Sequence, residues 1–375
     1  MGFQKLPLND GQSAVYGAKR KGQIQEYTLS VGLGPLEGRL HFSSSHSAVE
    51  QSFLRPHIDF LSLRMDLLRL PLIVLEEVFK NMDFREQFLI SLMSKRARYT
   101  LKLTSAKLDL SINFSDDLYI EAGTNDSPSE LTDEVDHRIG GKVMRLSVFP
   151  ERITLQETSP QTQLSFVGYL LDTFRKPSIS VEFHHKALPT SALEFMRMMK
   201  QRKLFVNSLY YYIKSDSSEF IPKILDECTE VTDSIWIGGS FPDDFVYTPP
   251  RPFKAKEFHV DTSSNWFNLD SFMSCRRVFK LNKPSNQAPE SWNTFFRNWL
   301  DSDAPLETLW CFEINVSDFP LMVDGLSNGI HKKGAIEWIE VKRRDGSESV
   351  IGRCRDDLYI MSKNEHKALF HCETI

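Results

Sequence analysis

The side chains that could do chemistry are scattered along this chain rather than gathered. His184-His185 is its one histidine pair. Adjacent strand residues point to opposite faces, so the two rings cannot easily grip one metal. Asp116-Asp117, Asp243-Asp244 and Asp356-Asp357 are paired carboxylates of the type used in general acid–base work. Each sits beside a turn-like segment, where Asp is favoured for local hydrogen bonding instead. Cys228, Cys275, Cys311, Cys354 and Cys372 lie 47, 36, 43 and 18 residues apart with no C-x-x-C pair. That spacing suggests neither a zinc ribbon nor a redox dithiol, and reads as reduced thiols. GLGPLEG (Gly32, Gly34, Gly38) has the glycines of a phosphate loop, but Pro35 and the lack of a flanking strand and helix give it no cradle. No G-x-S-x-G, Walker loop, H-E-x-x-H or catalytic Cys-His pattern occurs. The expectation is a non-catalytic chain with no cofactor and no metal.

Two further clusters could serve binding. Tyr210-Tyr211-Tyr212 could supply an interface anchor if one ring faces solvent; the better-weighted reading is a strand with aromatics on both faces, one packed under a helix. Lys342-Arg343-Arg344 could be a basic docking spot, though such a run is more often the solvated end of a strand.

Composition narrows the partner classes. The 375 residues carry 45 Lys+Arg against 50 Asp+Glu, a net charge of −5, which argues against phosphate-backbone binding. Apolar residues make up 41%, enough for a packed core. No apolar run reaches the roughly 18 residues of a membrane span. MGFQKLP lacks the apolar stretch of a signal peptide, and Leu6 stands where myristoylation wants Ser or Thr. A soluble protein of the cytoplasm and/or nucleus is expected. Seven of the 18 glycines fall within the first 38 residues, so residues 1–60 read as a flexible extension.

From about residue 110 the texture is that of short strands alternating with helices. Strand candidates are LSVF (146–149), ISVEFHH (179–185), SLYYYIK (208–214), SIWIGG (234–239), KEFHVDT (256–262), RRVFKLN (276–282), TLWCFEIN (308–315) and AIEWIEVKRR (335–344). Equivalent positions Leu209, Ile235, Phe258, Val278, Leu309 and Ile336 are 26, 23, 20, 31 and 27 residues apart. That spacing suits one strand and one helix per unit, an irregular leucine-rich-repeat-like α/β solenoid with a mainly parallel sheet. The Asn ladder of a true leucine-rich repeat is missing. Helices are expected over 191–201, 217–228 and SWNTFFRNWLDS, where Trp292, Phe295, Phe296, Trp299 and Leu300 form one apolar face. Asp345-Gly346 signals a C-terminal hairpin between EWIEVKR and SVIGRCR, capping the sheet edge.

What remains is LRLPLIVLEEVFKNMDFREQFLISLMSK, residues 68–95, the densest apolar run. Pro71 suits a first helical turn. Val74, Leu75, Val78, Phe79 and Met82 make an amphipathic stripe. Asp83, with Glu86 three residues on, caps a second helix carrying Phe84, Phe88, Leu89, Leu92 and Met93, and a third short helix ends near Leu103. Periodicity alone allows either a core that closes on itself or a docking surface. A module this small has little room to bury so much apolar surface internally, which favours a partner.

Leu70-Pro71, Val74-Leu75, Val78-Phe79, Met82-Asp83, Leu89, Leu92 and Ser94-Lys95 together resemble the F-box, in the version expanded in nematodes. Residues 266–314, from WFNLDSFMSC to LWCFEI, look like the type 2 F-box-associated region that accompanies it. Arg96, Ala97, Arg98 and Tyr99 stand where many F-boxes carry a Trp. The resemblance implies a three-helix F-box (61–108) followed by an α/β body (109–345) that contains the F-box-associated region at about 250–320. A hairpin strand and tail follow (346–375). It implies docking to the Skp-type adaptor, and through it a cullin, with Leu70, Pro71, Val74, Leu75, Val78, Phe79, Leu89 and Leu92 as contact or supporting positions. The function implied is a substrate-recognition adaptor of an SCF-type ubiquitin ligase whose body holds a protein substrate. The alternative is an interaction scaffold that uses the repeat body outside ligase function. Neither nucleic acid nor membrane is an expected partner.

Overall fold

The computed structural model describes four strands within the first 43 residues. From Arg69 to Phe370 it describes everything except 105–106, 124–132, 150, 157–158, 185, 214–218, 240–244, 246, 263–267, 282–287 and 313–317. The chain forms two compact units. One gathers Met1–Leu108, Glu121–Thr154 and Phe166–Pro177; the other Asp109–Ile120, Leu155–Ser165 and Ser178–Ile375.

The first unit opens with strands β1 (Phe3–Lys5), β2 (Ser13–Arg20), β3 (Gln23–Val31) and β4 (Leu40–Ser43), paired antiparallel in that order. A flexible extension was expected here. Tyr27, Leu29 and Val31 alternate with Thr28 and Ser30, a period-two signal that the glycine content hid. The rest of that segment, GLGPLEG included, lies outside the described residues. Three helices follow, α1 (Leu72–Lys80), α2 (Phe84–Met93) and α3 (Lys95–Thr104).

Five strands come next: β5 (Asp109–Phe114), β6 (Leu118–Ala122), β7 (Asp133–Ile139), β8 (Lys142–Val148) and β9 (Arg152–Leu155). Strands β7 and β8 form an antiparallel hairpin in the first unit, turning at Gly140 and Gly141, both at positive φ. Helix α4 (Pro160–Thr173) was missed from sequence. Phe166, Val167, Leu170 and Leu171 carry its stripe and are buried, as is Phe174 just after it.

The second unit is mixed α/β around a large sheet. Its further elements are β10 (Ser178–Phe183), α5 (Pro189–Gln201), β11 (Val206–Tyr212), α6 (Ile221–Cys228), β12 (Ser234–Gly239), β13 (Glu257–Thr262), β14 (Arg277–Leu281), α7 (Pro289–Asp301) and β15 (Thr308–Cys311). After α8 (Phe319–Met322) come β16 (His331–Lys333), β17 (Ile336–Lys342), β18 (Glu348–Cys354), β19 (Asp357–Ser362) and α9 (Lys363–Phe370). The order in this unit runs β16-β17-β18-β19-β15-β14-β13-β12-β11-β10-β5. From β5 to β15 all pairings are parallel. The spacing argument locates the register: Leu209, Ile235, Phe258, Val278 and Leu309 are successive partners on neighbouring strands. Ile336 does not belong to that row, because β17 pairs antiparallel with β18 and places Ile336 opposite Cys354.

The expected hairpin is β17–β18, with Gly346 at φ 86 in its turn. The parallel run, however, is closed by β19, which pairs antiparallel with β15. Strand β19 and α9 lie in the segment expected to be tail; the Arg355-Asp356 turn that makes the second hairpin contains no glycine to signal it. Arg355 itself takes the left-handed conformation, φ 56. Helix α7 matches its expected pattern: Trp292, Phe295, Phe296 and Trp299 are buried, and Arg297, Asn298 and Asp301 are exposed.

Candidate functional site

Pro71 is the residue immediately before α1, and its carbonyl accepts from Val74 and Leu75 N–H at 2.9 and 3.1 Å. At the other end of α1 the buried Gln87 amide donates to the carbonyl of Phe79 (3.1 Å), which also accepts from the Met82 N–H, and to that of Met82 (3.0 Å), just past the helix. The cap read from sequence is complete. The Asp83 carboxylate accepts from the Glu86 N–H at 2.7 Å, and the Glu86 carboxylate from the Asp83 N–H at 3.0 Å. Ser94 repeats the device for α3, its hydroxyl accepting from the Ala97 N–H at 3.0 Å. The Ser94-Lys95 pair is thus a helix start.

Leu75, Phe79, Met82, Ile90, Ala97 and Leu101 form the core among the three helices, with Leu70 and Val78 packed against it. The opposite side of α2 is covered as well. Phe84 lies 5.7 Å from Phe174 and Phe88 lies 6.1 Å from Phe166, ring to ring. The Tyr169 hydroxyl donates to the Ser91 carbonyl at 2.9 Å, and Arg98 stands over the Tyr169 ring at 5.0 Å. The apolar surplus expected to need a partner is therefore largely taken up by the Phe166–Pro177 segment of the same unit.

This sorts the eight candidate positions. Leu75 (3% exposed), Phe79 (0%) and Leu89 (8%) are interior and can only support a surface. Leu70, Val74, Val78 and Leu92 are half-buried, and Pro71 is exposed. The large apolar groups that do face solvent were not among them: Leu72 (54%) and Ile73 (73%) on α1, Met93 at the end of α2, and Tyr99 and Leu103 one turn apart on α3. The signal was available. Leu72 and Ile73 occupy the α1 face whose next-turn members are Glu76, Glu77 and Lys80, so they interrupt the amphipathic pattern. A stripe marks core; apolar residues off the stripe are left at the surface.

Residues 67–105 match the family model of the F-box domain. The segment is an F-box domain. No curated protein and no solved structure matches the chain.

The other candidates are dispersed. The His184 Nε2 contacts Glu182 at 2.9 Å; His185 and Asp243-Asp244 lie outside the described residues. Asp116 pairs with Lys186, and the Asp117 carbonyl accepts from Ser115, both in the turn after β5. Burial pushes the Cys275 and Cys311 thiols up to about 12 and Cys228 further, so these sulfurs stay protonated. Among the described residues no group of three His, Cys, Asp or Glu could hold a metal, and no helix is long and apolar enough to cross a membrane. A cavity of about 480 Å³ is lined largely by Pro249, Pro250, Pro252 and Ala304, with Arg251 and Asp270 its titratable groups.

Tyr211 is buried beside Phe183, while Tyr210 and Tyr212 take the other face of β11, as weighted from sequence. Arg343 departs from expectation. It is 7% exposed, lies 5.0 Å over the Trp299 ring, and donates to the carbonyls of Ala304 (2.5 Å), Ser302 (3.4 Å) and Leu306 (3.5 Å). It is an internal tie for the turn after α7, because a planar guanidinium can serve several acceptors at once.

Proposed function

We propose that this chain is the substrate-recognition adaptor of an SCF-type ubiquitin ligase. Its F-box engages a Skp-type adaptor, and a cullin through it, while the second unit recruits a protein substrate. The observation that carries the reading is an F-box domain whose first helix offers Leu72 and Ile73 to solvent. Fully burying one large aliphatic side chain contributes about 1.5–3 kcal/mol, so two such residues can anchor a modest interface. The chain would do no bond-making itself; it would raise the local concentration of substrate lysines near a conjugating enzyme. We further read the sheet unit as an irregular leucine-rich-repeat-like solenoid, with the type 2 F-box-associated region spanning β14, α7 and β15, in a protein of the cytoplasm and/or nucleus.

The test is a pull-down of the purified chain on a Skp-type adaptor. Wild type should bind, and Leu72→Asp with Ile73→Asp should weaken binding by about tenfold or more while leaving the thermal melt in place. No binding by wild type would end the adaptor reading. Binding unchanged in the folded double variant would remove these two residues from the interface. Leu75→Asp is a poor probe, since a carboxylate placed in that core would unfold the domain whatever it binds.

A further inference from the structure

In the second unit, residues of α5 and α6 and of the segments that open β11, β12 and β13 enclose a cavity of about 340 Å³. That volume lies within the range of small-ligand sites, about 300–1,000 Å³. Its apolar lining is Met196 and Met199 on α5, Leu204, Phe205 and Val206 at the start of β11, and Val231 before β12. Met196, Met199, Val206 and Val231 are buried, Leu204 is half-buried, and Phe205 is 61% exposed. Two methionines give such a wall unusual freedom to fit an irregular apolar group.

Five charged residues complete the lining, and four of them are already spent on carboxylate–cation pairs. Lys200 Nζ donates to both oxygens of the Glu227 carboxylate, at 3.0 and 2.9 Å. Glu230 is shared by Arg251 at 3.0 Å and by Lys254, outside the lining, at 2.6 Å. Lys254 and Arg251 together hold the Glu230 carboxyl below its ordinary range. The fifth charge is Lys203. Its side chain is exposed and meets no carboxylate or other hydrogen-bonding partner among the described residues. The lining therefore carries three cations against two carboxylates, and the unspent cation is identified.

Local backbone physics does not ask for a lysine there. Helix α5 ends in a left-handed turn: the Leu204 N–H donates to the Met199 carbonyl at 3.0 Å, and Lys203 takes the positive φ, 53°. Glycine adopts that conformation freely, whereas a side chain is strained in it. The cation that favours a helix C-terminus is already supplied by Lys200 in the last turn.

We propose that this cavity binds a small amphipathic monocarboxylate, its apolar body against Met196, Met199 and Val231 and its carboxylate on the Lys203 ammonium. One unpaired cation matches one negative charge, in a charge-assisted contact. A second negative charge, as on a phosphate monoester, would be repelled by Glu227 and Glu230. An amine would meet Lys203 as a like charge, and a neutral molecule would gain only the apolar contact. The site lies wholly in the second unit and is independent of the adaptor reading.

Calorimetric titration of octanoate into the full-length chain at neutral pH tests the proposal, with octanol, octylamine and octyl phosphate as comparison ligands. Octanoate should bind about tenfold or more tighter than any of the three, the worth of one charge-assisted contact. Lys203→Asn and Lys203→Gly both suit the positive φ and remove the charge. Each should weaken octanoate by about tenfold and leave octanol binding unchanged, with the thermal midpoint no lower than that of wild type. No octanoate binding, octanol or octyl phosphate bound as tightly, or octanoate affinity unchanged in the two variants would each overturn it. Because glycine and asparagine both tolerate this turn, the test does not depend on one variant folding.

Discussion

In the F-box the apolar side chains that reach solvent are few and mostly aliphatic, and they break the helical stripe; in the sheet those that reach halfway out are aromatic and follow the strand period. Leu72 and Ile73 sit one turn from charged residues on α1. Tyr210, Trp236, His259 and Phe279 sit beside one another across four strands. The difference follows from geometry. A helix has one apolar stripe to give, and α1 uses it on Phe79 and Leu75, so any further apolar residue falls off the stripe and faces solvent. A strand has two faces, so a sheet with buried aliphatic residues on one of them can carry a second, half-buried row on the other. The two regions therefore respond differently to substitution.

The largest effect is expected inside the F-box. Phe79 is fully buried against the α1–α3 core, and Phe79→Ala should cost about 3–5 kcal/mol, a large part of a domain's stability. Ile73→Ala, six residues away on the exposed face, should change stability by no more than about 0.5 kcal/mol. Urea denaturation of the two variants checks the contrast. Equal losses would mean that the stripe and its exception do not divide core from surface as described.

In the sheet the corresponding weak point is a glycine. Gly352 is the register partner of Tyr359, and a Cβ there would fall within the tyrosine ring. Gly352→Val must move that ring off Trp310 and His366, at about 1–3 kcal/mol. Tryptophan emission from Trp310 and Trp338 should shift in the same variant. A stability change under about 0.5 kcal/mol would show that the aromatic row is adjustable rather than a fixed stack.

The same two regions show what was legible beforehand. Asp83 and Glu86 declare the α2 start locally, and equivalent apolar positions from Leu209 to Leu309 declare a parallel register, because each depends on spacing within one or two elements. Three features are not legible from such spacing. The Phe166–Pro177 segment covers Phe84 and Phe88, so the apolar surplus of α2 looked like an intermolecular surface. The Arg355-Asp356 turn lacks glycine, so β19 stayed hidden, and with it the antiparallel closure of β15. Arg343 looked solvated until the carbonyls of Ser302, Ala304 and Leu306 surrounded it. The exposed pair Leu72-Ile73 is legible as a break in the α1 stripe, whereas only strand register brings the Tyr210-to-Trp310 row together.

The smallest expected effect sharpens the electrostatic side of the contrast. On the face of β17 opposite Trp338, Glu337 pairs with Lys332 at 2.7 Å and with Arg353 at 2.9 Å, its neighbours across both flanking strands. The Arg353 and Lys332 contacts hold the Glu337 carboxyl below its ordinary range. A depressed folded value means that the unfolded chain binds the proton more readily. The pair's contribution is thus complete well above about pH 4.3, the unfolded glutamate value, and is lost as pH falls through the folded one. Glu337→Gln should be less stable than wild type at pH 7, and the gap should close as the pH is lowered below about 4.3. The F-box pair of Lys80 with Glu76 and Glu77 is exposed and joins neighbouring turns of one helix, so Glu77→Gln should change stability at pH 7 by no more than about 0.5 kcal/mol. A Glu337→Gln loss no larger than that, or one that does not shrink at low pH, would mean that the cross-strand carboxylate is no better held than a surface ion pair. The sheet edge would then have to be explained by its hydrogen-bond ladder alone.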